Sequence, residues 1–171
     1  RSKKKRLYIK IKISNGNFQF LKQKIGDRNL IRQYNKGDID TIIQIWLDTN
    51  IQAHYFISSD YWRANYDMVR EILPHAEIYV YEDDCTKQID GFIGLNDDYI
   101  EGIFVKETMQ SKGIGKQLLN HAKEVKSTLK LSVYQKNEKA IKFYLREKFN
   151  VQSENVDANT GEKEFTMVWN R

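Results

Sequence analysis

The sequence predicts an α/β fold of the α+β type, carried on one chain of 171 residues. Three observations predict it. Short apolar runs with strand character are interspersed with runs of helical period, in the order β-α-α-β-β-β-α-β-α-β-β. Polar turn segments at 82–87, 96–98 and 159–161 separate neighbouring strand runs, as hairpins require. A glycine-bearing turn, Gln110-Ser111-Lys112-Gly113-Ile114-Gly115-Lys116, joins a strand directly to a helix.

Each element has its own reason. Residues 31–34 read as the first strand. Lys36-Gly37-Asp38 makes a turn, and Asp38 is a plausible N-cap. Ile39, Ile42, Ile43, Trp46 and Leu47 recur at helical spacing to about Asn50, and 51–58 reads as a loop. Ser59 or Asp60 caps a second helix carrying Trp62, Tyr66, Val69, Ile72 and Leu73, which stops at the only proline, Pro74. Strands follow around Ile78 and Val80, at 89–95 and at 99–105. A helix carries Ile114, Leu118, Leu119, Ala122 and Val125. The strand at 129–134 leads into a helix through Ala140 and Tyr144, and a last hairpin spans 149–156 and 163–169.

Composition bounds the function. The length suits one domain, and 40% apolar residues with 12% aromatics suffice for a core. No run of 18 apolar residues exists, so no membrane span is expected. Cys85 is the only cysteine and has no internal partner, which suits a reducing compartment, the cytoplasm. His54, His75, His121 and Cys85 are scattered without zinc spacing, so no metal is expected. The net charge of +5 conceals an asymmetry. Residues 1–29 hold ten Lys or Arg and one acid, a net +9, which leaves the remainder at −4. The basicity belongs to the leader, so the high pI argues weakly for nucleic-acid binding by residues 30–171. The leader itself reads as a flexible or non-native extension, an extra strand built on the alternation at 8–13, or a basic arm for nucleic acid or membrane.

The glycine turn carries the chemistry. Glycine lets backbone approach a ligand, and the first N–H groups of a helix lack intrahelical partners, so such a turn can cradle phosphate oxygens. It is not a Walker A loop, because Gln110 and Gln117 stand where glycine and Ser or Thr are needed. It is not a dinucleotide fingerprint, because Leu118 replaces the third glycine and no acid ends the next strand. Gln-x-x-Gly-x-Gly after a strand resembles the acyl-CoA pyrophosphate loop of the GNAT (GCN5-related) N-acetyltransferase superfamily. A second motif supports the resemblance: strand, Asn137-x-x-Ala140, helix, Phe143-Tyr144. The resemblance covers roughly 31–169. It implies a mixed, mostly antiparallel twisted sheet flanked by about four helices, with residues 30–171 as the transferase domain.

The activity implied is transfer of an acetyl group from acetyl-CoA to a primary amine, by direct attack in a ternary complex. The acceptor is a lysine or N-terminus of a protein or peptide, or a small amine. The alternative is a non-catalytic acyl-CoA-binding regulatory module of the same fold. A lysine amine of pKa about 10.4 is neutral about once in a thousand at pH 7.4, so deprotonating it is worth roughly 4 kcal/mol. The family pattern assigns the backbone N–H groups of Lys112, Gly113, Ile114, Gly115 and Lys116 to pyrophosphate, with Gln110 bordering them. It assigns the β-strand backbone at Ile103 and Val105, and Asn137, to the pantetheine arm. The Val105 amide then has an oxyanion-hole role, and Asn137 also reads as a helix cap. Tyr144 is the candidate general acid; its other reading is a packed aromatic. Glu101 is the candidate base, with Asp97 and Asp98 just before it. His54, Tyr55 and Phe56 are candidate acceptor contacts, and His54 could relay a proton near pH 7. Tyr61 and Trp62 read as core. The family often dimerises, so a homodimer is expected as a possibility.

Overall fold

The structure, a computed structural model, describes residues 29–171, so the basic leader lies outside the described residues apart from Asn29. Strand β1 (Asn29–Gln33) is followed by three helices, α1 (Ile39–Ala53), α2 (Ser59–Ala64) and α3 (Tyr66–Ile72). Then come β2 (Glu77–Asp83), β3 (Ile89–Asn96), β4 (Tyr99–Val105), α4 (Ile114–Val125), β5 (Thr128–Tyr134), α5 (Glu138–Arg146), β6 (Asn150–Val156) and β7 (Lys163–Asn170).

One expected helix is two. Asn65 turns its side-chain amide back onto the Tyr61 carbonyl at 2.7 Å and separates α2 from α3. Asparagine competes for backbone in this way, which breaks a helix that apolar spacing alone would continue. Ser58, not Ser59 or Asp60, caps α2 by accepting from the Asp60 N–H. Helix α1 runs on to Ala53, into the expected loop. Asp38 stands at the N-cap of α1 without capping it; its carboxylate accepts from Asn35 N–H and from Arg32.

The seven strands form one sheet in the order β1-β2-β3-β4-β5-β7-β6. All neighbours are antiparallel except β4 and β5. That parallel pair registers only at Tyr99↔Lys130. Beyond it the two strands part, and a wedge-shaped gap opens in the middle of the sheet.

Two cores cover the two faces. Helix α4 lays Ile114, Leu118, Leu119 and Ala122 on Ile93, Leu95, Leu129 and Leu131. Helices α1–α3 bury Ile42, Ile43, Trp46, Trp62 and Val69 against Ile78, Val80 and Phe92 of the other face. Strand parity decides which core each residue joins, because successive side chains point to opposite faces. Among the described residues no helix is long and apolar enough to cross a membrane.

Candidate active site

The Gln110–Lys116 turn leads into α4. Gly113 has φ +86° at the N-cap of α4, and a Cβ there would meet nothing within 4 Å. Its requirement for glycine is therefore conformational, since a left-handed backbone strains other residues. The first intrahelical bond runs from Gln117 N–H to the Gly113 carbonyl. The N–H groups just before Gln117 therefore face outward at the positive end of the helix dipole, ready for an anion. The lysines contribute less than their charge suggests. Lys116 pairs with Glu147 at 3.5 Å, and Lys112 rests on the Met109 sulfur at 3.4 Å.

Strand β4 brings a second set of backbone donors. Lys106 donates its N–H to the Asp90 carbonyl at 2.9 Å, so Gly91↔Val105 is a non-hydrogen-bonded pair. Alternation then turns the N–H and C=O groups of Ile103 and Val105 away from β3, into the gap toward β5. Gln110 confirms the direction, because its Nε2 donates to the Val105 carbonyl at 3.1 Å. The same amide reaches Gln52 of α1, and its oxygen accepts from Lys139 of α5. Gln110 thus ties three elements together at the mouth of the gap.

Helix α5 supplies the next two residues. Asn137 caps it, with Oδ1 accepting from Ala140 N–H at 3.2 Å. That fixes the amide so that Nδ2 faces His54 Nε2 at 3.3 Å. Tyr144 is buried between Phe143 and Phe149. Burial raises the pKa of its phenol, with Tyr99 adding to the shift, so it holds its proton at neutral pH.

A cavity of about 140 Å³ lies in the gap; of these parts Ile103, Tyr144 and His54 line it, while the glycine turn, Val105, Gln110 and Asn137 do not. Tyr144 and Ala140 line it from the α5 side; Trp46, His54 and Trp62 line it from α1 and α2. Its strand walls are Glu101–Phe104 of β4, Ser132–Tyr134 of β5 and Glu164 of β7. Glu101 sits where the β3–β4 register slips between Gly94 and Leu95. Such a bulge re-aims a side chain and is a common device beside sites. Asn96 donates to the Glu101 carboxylate at 3.3 Å.

The expected acceptor residues divide. His54 lines the cavity, stacked on Trp62 and edge-on to Tyr134. Burial pushes its pKa down to about 4, against a smaller upward pull from the Asn50 backbone. A proton relay near pH 7 is therefore not what this ring is built for. Asn137 Nδ2 can only donate, so His54 Nε2 accepts and the neutral ring carries its proton on Nδ1. Phe56 packs edge-on to His54 and Tyr134 beneath Lys136, beside the cavity. Tyr55 is 80% exposed and does not line it. Trp62 and Tyr61, expected as core, are cavity walls as well. Asn50, Tyr134 and Glu164 were not foreseen. Tyr134 is held by its hydroxyl, which donates to the buried Asp157 at 2.8 Å. No local spacing signals these residues, since they come from separate elements. Among the described residues no group of three His, Cys, Asp or Glu side chains is arranged to hold a metal ion.

Comparison with known proteins fits this geometry. A model of the acetyltransferase (GNAT) domain matches residues 74–151. Over 124 residues the chain is 32% identical to the peptidyl-lysine N-acetyltransferase YiaC of Escherichia coli, covering 71% of this chain and 84% of YiaC. The chain belongs to the GNAT acetyltransferase family. It is 27% identical over 121 residues to another GNAT relative, the peptidyl-lysine N-acetyltransferase YjaB of Escherichia coli, covering 71% of this chain and 82% of YjaB. The solution structure of apo YjaB superposes with a TM-score of 0.74 at 25% identity, over 82% of this chain and 97% of that one. The GNAT match includes the glycine turn, β4, β5 and α5, the elements that flank the gap. The chain is thus an N-acetyltransferase by family, and the relatives reported give no support to a non-catalytic module.

Proposed function

We propose that the chain moves an acetyl group from acetyl-CoA to the side-chain amine of a lysine in a protein or peptide, by direct attack in a ternary complex. The observation that carries the reading is the gap between β4 and β5. Its cavity is lined by Ile103 of the outward-facing β4 backbone, a protonated phenol and a carboxylate, and the glycine turn at the start of α4 follows β4 in the chain. The open left-handed turn at Gly113 and the outward amides of α4 fit a pyrophosphate, and the β4 edge fits an extended amide chain. The thioester supplies the activated acetyl group.

The chain's own residues then divide the work. The N–H groups from Lys112 to Lys116 hold the phosphates. Ile103 and Val105 pair with the pantetheine arm, and the Val105 amide faces the carbonyl oxygen where charge develops. Asn137 borders the same arm. Glu101 takes the proton that the attacking ammonium must lose. Tyr144 returns a proton to the departing thiolate. The peptidyl-lysine names of YiaC and YjaB favour a lysine acceptor. Cys85, exposed and the only cysteine, fits a cytoplasmic setting.

Thermal unfolding with and without acetyl-CoA tests the donor site. At a hundred times Kd a ligand adds about 2.7 kcal/mol, or roughly 5–10 °C for a domain of this size. Acetylation of a lysine peptide, read by mass spectrometry, tests the acceptor. No thermal shift overturns the donor assignment; a shift with no product on any amine overturns the transferase reading.

A further inference from the structure

Asp157 is buried where its neighbours are not. It begins the turn between β6 and β7, next to a strand whose residues are all exposed, yet it is itself 5% exposed. Aspartate is seldom buried, and its oxygens must be hydrogen-bonded when it is. Its own turn accounts for part of that bonding. Oδ1 accepts from the Asn159 N–H at 3.0 Å, Oδ2 accepts from the Thr160 hydroxyl at 2.7 Å, and the Gly161 N–H closes the turn on the Asp157 carbonyl at 2.8 Å. An aspartate at the start of a turn makes such bonds at the surface, without burial. A further bond does require burial. Oδ2 also accepts from the Tyr134 hydroxyl at 2.8 Å, 23 residues earlier in the chain at the end of β5.

Tyr134 carries that bond to the cavity, which it lines. Its ring is edge-on to His54 at 5.2 Å and to Phe56 at 5.7 Å between centroids. His54 ends α1 and Phe56 stands in the loop before α2, so segments far apart in the chain meet at one phenol. A second contact runs the same way. Lys136 lies over the Phe56 ring at 5.3 Å and pairs with Glu162 of the β6–β7 turn at 2.9 Å. The rings are thus braced from a turn whose Asp157 does not itself line the cavity.

Resting on the acetyltransferase reading, we infer that Asp157 is a positioning residue for the acceptor: through the Tyr134 hydroxyl it fixes the ring, packed on His54 and Phe56, against which the acceptor side chain lies. A ring held both by packing and by a bond at its hydroxyl has one orientation. Without the bond the same packing lets it shift, and a small displacement of a positioning group is costly. The groups proposed for acetyl-CoA come from β4, α4 and α5. The effect of Asp157 therefore falls on the acceptor KM rather than on acetyl-CoA affinity.

The experiment is a double-mutant cycle. Y134F removes the hydroxyl and keeps the ring. D157N keeps a turn-forming residue and gives up one accepting oxygen. KM and kcat are measured on a lysine peptide at saturating acetyl-CoA, beside the thermal shift that acetyl-CoA gives. Each single variant is expected to raise the peptide KM about tenfold, and the double variant about tenfold as well, because both changes remove the same bond. The acetyl-CoA thermal shift stays near wild type, and kcat changes less than KM. A rise of about a hundredfold in the double variant, an unchanged KM in either single variant, or an equal loss of acetyl-CoA affinity overturns the inference and leaves the transferase reading intact. A wild type that shifts with acetyl-CoA but acetylates no amine overturns both. Should D157N fail to fold, D157S, which also suits a turn, takes its place in the cycle with the same expectations.

Discussion

The two sides of the proposed site are built by different means. The donor wall comes from one stretch of chain, β4 through α5, and its key groups are backbone amides and two residues of a single short helix. The acceptor wall is gathered from α1, α2, the bulge of β4 and the far strand β7. Its groups are side chains held by packing: His54 on Trp62, and Tyr134 on Asp157. A site made of backbone geometry tolerates much sequence change around it. A site made of packed side chains is altered by single substitutions. The donor wall is thus the part of the proposed site set by backbone, and the acceptor wall the part set by side-chain packing.

Three substitutions sharpen that contrast, beginning with the largest effect. Tyr144→Phe removes the proposed proton donor and keeps the ring. It is expected to lower turnover about 10²–10⁴-fold with acetyl-CoA affinity unchanged. Steady-state kinetics beside isothermal titration checks it, and undiminished turnover removes Tyr144 from the mechanism.

The second effect belongs to the acceptor wall. His54 has a folded pKa of about 4 against about 6.5 when free. The unfolded chain therefore binds a proton between those values while the folded chain does not. Stability rises with pH through that window and is lost as pH falls from about 6.5 to 4. The loss attributable to His54 is about 3 kcal/mol. Urea unfolding at pH 7 and pH 4, in wild type and His54→Gln, isolates it. An identical pH dependence in the two proteins would refute the assignment.

The smallest effect returns to the donor wall. Gly113→Ala forces a side chain into φ +86° and is expected to cost about 1–2 kcal/mol of stability. Its acetyl-CoA affinity falls with it, while KM for the acceptor peptide at saturating acetyl-CoA does not move. A variant with unchanged affinity would show that the turn does not hold the phosphates.

The donor wall was legible because its chemistry follows the chain. Gly113 and Asn137 lie at helix starts that the sequence marks, and Tyr144 follows within the same short helix. Spacing alone placed them on the right elements. Where local reading went wrong, a side chain had an alternative partner that periodicity does not register. Asn65 bonded back to Tyr61 and split a helix. Asp38 turned to Arg32 and Asn35 instead of capping α1. The Gln110 side chain also has partners that spacing does not register, on Val105, Gln52 and Lys139.

The sequence by itself determined the order of the strands and of the helices between them, apart from the break between α2 and α3, together with the glycine turn and the family to which they belong. These depend on residue type over a few neighbouring positions, where backbone preference and apolar period act directly. Tertiary structure alone decided the gap between β4 and β5, the bulge that aims Glu101, and the meeting of Trp62 and Glu164 across about a hundred residues of chain. The physical reason is that such contacts are fixed by sheet order and register, which no local stretch of sequence contains.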